Sequence, residues 1–334
     1  MAEHKPHTAA PWRRADRGAD ALVLASWLLL IGLGVILTRP PALPETAHTG
    51  TVAVVEEPVM VNAGPDFYPY VRPGSPAPTQ AGVQPWAPKP KPNRGGFLTR
   101  LNAPGNDPVF FASSHGNADS FYGGDWKPEN IAPRNGGAFL EVRREQSGGL
   151  PYTAAEMQSS ETFRYGRYET VMQPARGSGL VTAFFTYTGP WFGDPHDEID
   201  IEFLGSDTTR IHFNYFRNGK SIKPATFDLP FDAASKPHLY AFEWRPDGIT
   251  WFVEGVPIYA TEAGDAAIPV TASKVMFSAW TGKPMMAGWH GKPVFRDGSG
   301  AQFNCVSFTP LGHDTPKCSD TYRGGAGASS AGAR

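Results

Sequence analysis

His196-Asp197-Glu198-Ile199-Asp200-Ile201-Glu202-Phe203-Leu204-Gly205 alternates acidic and apolar residues with a period of two. Side chains of a β-strand point to opposite faces in turn, so Glu198, Asp200 and Glu202 share one face and Ile199, Ile201 and Phe203 the other. The apolar face is expected to pack into a core, leaving three carboxylates in a row on the opposite face. Similar runs flank it between Gly, Pro and Asn turn signals: AFLEVRR, YGRYETVMQ, LVTAFFTYT, RIHFNYF, HLYAFEW, ITWFVEG and KVMFSAW. Within the domain no segment has a convincing amphipathic-helix pattern. The spacing predicts an all-β sandwich of two stacked antiparallel sheets, one of them curved, with very low helix content. Trp251 to Val256 reads as a hairpin entering a tight turn.

The chain has 334 residues, 30 Lys+Arg against 32 Asp+Glu, and two cysteines. A net charge of −2 gives no general attraction for phosphate backbones, which argues against nucleic acid as a partner. A mean hydropathy of −0.33 excludes a multi-span membrane protein. Ala21 to Thr38 nevertheless runs eighteen residues without a charge, a helix of about 27 Å, close to the hydrocarbon thickness of a bilayer. Lys5, Arg13, Arg14 and Arg17 precede it, and after Arg39 the next Lys or Arg is Arg72. The asymmetry predicts a signal anchor over 21–38, a cytoplasmic segment 1–20, and everything after residue 39 outside. A cleaved signal peptide is the main rival; its apolar core is normally shorter, and Arg39-Pro40-Pro41 stands where small residues belong. Thirteen prolines between Pro40 and Pro92 make 39–96 a spacer. The folded unit is expected over 97–320, followed by a disordered tail, 321–334. Cys305 and Cys318 enclose a short loop, and outside the cytoplasm they are expected to pair.

Asp and Glu are poor strand formers, and neighbouring like charges cost free energy, so three on one face need a reason. One reading is a solvated surface strand; another is a calcium site, although calcium ligands usually come from a loop wrapped round the ion rather than from a line. The reading that uses the spacing is catalytic. The Cα atoms of Glu198 and Glu202 lie about 13 Å apart on a strand. Side chains leaning together, with a concave bend, bring the tips toward the roughly 5–5.5 Å that a retaining glycosidase needs between nucleophile and acid/base. Asp200 sits midway, and crowding raises at least one carboxyl pKa, supplying a protonated acid near neutrality.

Glu198-Ile199-Asp200-Ile201-Glu202 closely resembles the active-site signature of glycoside hydrolase family 16, in the form without an extra residue before the second glutamate. The likeness to bacterial lichenases extends through Phe163 to Glu169, Ser178 to Pro190, Phe213-Asn214-Tyr215 and Tyr240 to Trp244, covering about residues 97–290. It implies a concanavalin-like β-jelly-roll with a cleft across its concave sheet, and retaining hydrolysis of internal β-glycosidic bonds. Carried over, Glu198 is the nucleophile, Glu202 the general acid and then base, and Asp200 the residue assisting Glu198. Phe185, Tyr187, Asn214 and Trp280 match substrate-contacting positions, and Glu156 an acidic residue that binds sugar hydroxyls; Trp126 and Trp289 are further candidates. Gln158 stands where lichenases usually carry arginine, Phe216 where tyrosine is usual, and His196 where tryptophan is expected, as in the transglycosylase branch and bacterial exopolysaccharide depolymerases.

The resemblance, taken with the anchor expected over 21–38, leads to the expectation of a monomeric endo-β-glucanase, tethered to the inner membrane and facing the periplasm (or secreted, if the N-terminal segment is cleaved). It would act on mixed-linkage β-1,3-1,4-glucan or a related exopolysaccharide. A transglycosylase and a non-catalytic glycan-binding module are the alternatives. No cofactor is implied; a structural calcium elsewhere is compatible with the chain but demanded by no feature of it.

Overall fold

The computed structural model describes residues 95–323 apart from Asp119 and Ile222. The expected anchor, nearly all of the spacer and most of the tail lie outside the described residues. Among the described residues, no helix is long and apolar enough to cross a membrane.

Among the described residues, seventeen strands form two packed sheets. The back sheet runs in the order β15 (Val256–Ala260), β14 (Gly248–Val253), β13 (His238–Arg245), β7 (Gly166–Gln173), β17 (Ser299–Pro310), β5 (Gly137–Val142), β4 (Ile131–Arg134), with β1 (Phe97–Thr99) also on β17. The front sheet runs β11 (Lys220–Ser221), β10 (Arg210–Arg217), β9 (Asp197–Leu204), β8 (Leu180–Thr188), β16 (Lys274–Thr281), β6 (Tyr152–Ser159), β2 (Phe110–Ala112). β12 (Ala225–Asp228) also pairs with β10. The expected antiparallel arrangement holds with one exception: β3 (Gly124–Trp126) lies parallel to β6. Helix is confined to single turns, including α1 (Ala287–His290) and α2 (Cys318–Thr321).

The alternation read from the sequence is what seals the two sheets together. Ile199, Ile201 and Phe203 of β9 are buried in the main core, where Phe203 meets Tyr240 edge-on at 5.1 Å between ring centroids. A buried indole N–H needs a partner; Trp251 of β14 reaches across the core and donates to the Asp200 carbonyl at 3.0 Å. This bond ties the acidic strand to the opposite sheet at the residue between the two glutamates. The hairpin after Trp251 turns at Glu254 and Gly255, both with positive φ (52° and 78°), the geometry of a two-residue primed turn.

Strand β6 was not expected. Almost all of its residues are buried, so both faces read as mixed small and apolar residues and no alternation survives. The ordered chain also continues beyond residue 320: Thr321 closes α2, and the Tyr322 hydroxyl donates to Glu254 at 2.8 Å.

Cys305 and Cys318 form a disulfide with their Cα atoms 5.8 Å apart, pinning α2 against β17. The bond closes a short loop on the back sheet and none of its neighbours reaches the acidic face. A Cys305→Ser/Cys318→Ser variant should therefore lose about 3 kcal/mol of stability in urea unfolding while keeping the specific activity of the wild type at 25 °C.

Candidate active site

Strand register assembles the outward face of the front sheet in rows. The first is Phe216 (β10), Glu198 (β9), Tyr187 (β8), Lys274 (β16). The second is Asn214, Asp200, Phe185, Met276, Gln158 (β6) and Phe111 (β2). The third is His212, Glu202, Ala183, Ser278 and Glu156. Trp280 opposes Val181 in the next row. All eight expected site residues therefore lie on one face, the face turned away from the core.

The three carboxylates occupy the middle of that face. Glu198 is 8% exposed and Asp200 4%. Burial, followed by the negative charges of Glu198 and Glu202, holds the Asp200 carboxyl well above the usual carboxylate range. Protonated, it donates a hydrogen bond to Glu198. Glu202 is pushed up to about 8, again by burial first and the charge of Glu198 second, although part of its side chain remains within reach of solvent. The arrangement therefore holds a protonated acid at Glu202 near neutral pH, two positions along the strand from a protonated Asp200.

The start of β9 is fixed by Asp197, whose side chain points to the opposite face. Its carboxylate accepts from Arg217 Nη1 at 2.6 Å and from the backbone N–H groups of Val270 and Thr271, both at 3.0 Å. One residue earlier, His196 turns its ring onto the acidic face, with Nε2 2.5 Å from Glu198 Oε2. The sequence marked His196 only as a replacement for tryptophan, although its even spacing from Glu198 already puts it on the acidic face.

The expected sugar-contacting residues flank this centre. Tyr187 stands beside Glu198, and Phe185 beside Asp200 in an apolar cluster with Phe192 and Met276. Phe185 thus packs on the cleft face rather than in the main core. Asn214, opposite Asp200, accepts from Ser221 Oγ at 3.0 Å. Trp280 is buried against Tyr122, with Trp289 at 5.9 Å on its other side; Trp126 lies beneath this cluster, fully buried. Glu156, 0% exposed, accepts from Ser113 Oγ at 2.6 Å.

Gln158 is the centre of a network that the sequence did not suggest. Its Nε2 donates to Ser113 Oγ at 2.8 Å, and its Oε1 accepts from Lys274 Nζ at 2.7 Å. Lys274 also donates to the Ser159 carbonyl and lies 4.7 Å from the centre of the Phe111 ring. Ser113, Gln158 and Lys274 come from segments more than 40 residues apart, so only the register joins them. Among the described residues, no group of three or more His, Cys, Asp and Glu side chains is arranged to hold a metal ion.

Two packed β-sheets bearing a row of carboxylates, one held protonated, on an open aromatic face form the arrangement that a glycoside hydrolase requires. The chain belongs to glycosyl hydrolases family 16, whose profile matches residues 119–294. A β-glucanase of Brevibacillus brevis is 43% identical over 193 residues, covering 56% of this chain and 71% of the relative. A β-glucanase of Acetivibrio thermocellus is 45% identical over 157 residues, 47% of this chain. The chain covers only 46% of that relative's own length. The crystal structure of a β-1,3-1,4-glucanase (lichenase) from a mouse hindgut metagenome superposes with a TM-score of 0.61 at 34% identity, over 65% of this chain and all of that one.

Proposed function

We propose that the chain is a retaining endo-β-glucanase that hydrolyses mixed-linkage β-1,3-1,4-glucan or a related bacterial exopolysaccharide. The observation that carries this reading is the single row Glu198, Asp200, Glu202, with the third carboxyl pushed up to about 8 beside the first. In the first step a Glu198 carboxylate oxygen attacks the anomeric carbon while Glu202 gives its proton to the glycosidic oxygen, so the leaving sugar departs as a neutral alcohol. In the second, Glu202, now a carboxylate, takes a proton from water as that water displaces Glu198. Two inversions return the β configuration. Asp200 donates to the negative Glu198 in the free enzyme and releases it as the ester forms. The relatives named β-glucanase and lichenase support the choice of glucan.

The test incubates the protein with barley β-glucan, lichenan, laminarin, xyloglucan and a succinoglycan-type polymer, and follows the anomers of new reducing ends by NMR. Oligosaccharides released first as the β-anomer from a mixed-linkage glucan are the expected result. Inverted products, or binding without cleavage across the panel, would remove the proposal. Products longer than the starting chains would make the enzyme a transglycosylase.

The second row continues from Asp200 through Phe185, Met276 and Gln158 to Phe111, whose ring is 45% exposed at the sheet edge with the Lys274 ammonium near it. Four strand spacings separate Asp200 from Phe111, about 19 Å, and a glucan advances by close to one strand spacing per sugar. Phe111 is therefore proposed as a stacking platform for a sugar several units from the cleavage point. Phe111→Ala should raise KM for barley β-glucan about 3- to 10-fold and leave the kinetics on a trisaccharide substrate unchanged. Equal effects on both substrates would place Phe111 outside binding.

The sequence also leads us to propose that residues 21–38 anchor the enzyme in the inner membrane and hold it in the periplasm, near polymer under export. Partition of the full chain between soluble and membrane fractions, before and after deletion of 21–38, tests that location.

A further inference from the structure

We propose that His196 is a positioning residue for Glu198: it holds the carboxylate in its attacking orientation. The inference rests on the roles given to Glu198 and Glu202 above.

The imidazole is buried and built into its place. Its ring stacks on Phe216 at 4.9 Å with planes 16° apart, and meets Tyr187 edge-on at 5.2 Å. Phe216 and Tyr187 are the two cross-strand neighbours of Glu198, one from β10 and one from β8. The rings that flank the glutamate are thus the rings that fix the histidine above it. The backbone is held as well: the His196 carbonyl accepts from Gly219 N–H at 2.9 Å, and Asp197, next in the chain, is tied to Arg217 and to residues 270–271. Little freedom is left to the contact between Nε2 and Glu198 Oε2, 2.5 Å long.

With a proton on Nε2, His196 donates to Glu198, as Asp200 does from along the strand. Two donors fix the orientation of the nucleophile's carboxylate. The charged and titratable groups facing Glu198 are Asp200 and Glu202 on its own strand, Tyr187 on β8, His212 on β10 at the level of Glu202, Lys274 beyond Tyr187 on β16, and His196 itself. A tryptophan at position 196 could supply a donor here only through a differently placed indole N–H.

The test compares wild type, His196→Phe and His196→Gln in the full chain on barley β-glucan. Phenylalanine keeps a flat ring between Phe216 and Tyr187 but has no donor; glutamine keeps an N–H donor without the ring. For His196→Phe, kcat should fall about 10- to 100-fold with KM changed less than about 3-fold. His196→Gln should retain at least about a third of wild-type kcat. Far-UV circular dichroism and the thermal midpoint identify variants that have lost the fold, and a binding titration with a hexasaccharide shows that the cleft persists. An undiminished kcat in a folded His196→Phe, a loss expressed mainly in KM, or equal losses in both variants would overturn the positioning role. Failure of the underlying reading has a different signature: Glu198→Ala would then remain active, whatever His196 does.

Discussion

Replacing Glu198 with alanine is expected to lower hydrolysis of barley β-glucan by about 10⁴-fold or more, with substrate binding retained. The loss follows from its position: the carboxylate is only 8% exposed and is held from one side by His196, from along the strand by Asp200. Removing the side chain also leaves a gap of the right size for a small anion. Added azide should enter it and attack the anomeric carbon of an activated β-glucoside, giving an α-glycosyl azide, because only one inversion has then occurred. Detection of that α-product by NMR would assign the nucleophile directly. A β-azide, or undiminished hydrolysis without azide, would mean that another group attacks.

The second large effect concerns Glu202 and pH. Its carboxyl is raised from an ordinary carboxylate value to about 8, so between these limits the folded protein holds a proton that the unfolded chain has released. The stability it contributes is fully present at pH 4 and is lost as pH rises through about 8. From pH 5 to pH 9 the wild type should accordingly lose on the order of 3 kcal/mol through this group. Glu202→Gln, which cannot ionise, should lack that component. Subtracting the two urea-unfolding profiles isolates it from Asp200, which shifts in the same sense, and from His212, which burial lowers to about 4. The same proton sets the rate: kcat/KM should hold below pH 8 and fall above it, and Glu202→Gln should cost about 10²- to 10⁴-fold on unactivated glucan. Parallel stability profiles for wild type and variant would show that Glu202 is not held protonated.

These two predictions draw unequally on the sequence. That Glu198, Asp200 and Glu202 share a face follows from the two-residue period of a strand, a local property that no tertiary contact can alter once β9 forms. The same period located β5, β7, β8, β10, β13, β14 and β16; it missed β17, and it failed at β6, where Ala154, Ala155, Glu156 and Met157 are all buried. Glu156 was found only through family likeness. The pairing of Cys305 with Cys318 was legible because the chain has two cysteines and pairing them closes a short loop.

Three features were settled by tertiary structure alone. Register decided which side chains stand beside the carboxylates: Tyr187 and Lys274 beside Glu198, and Ser278 and Glu156 in line with Glu202. Strands distant in the chain meet at spacings that no local pattern encodes. Burial decided which carboxyl keeps its proton, since desolvation is a property of the surroundings and the three acids are indistinguishable as residue types. Packing against Phe216 of β10 and Tyr187 of β8 decided that the His196 ring is held against Glu198. The alternating sequence therefore determined that an acidic face exists and which three residues form it. Packing and register, which depend on contacts between remote segments, determined which of them are raised toward the protonated form and what holds each in place.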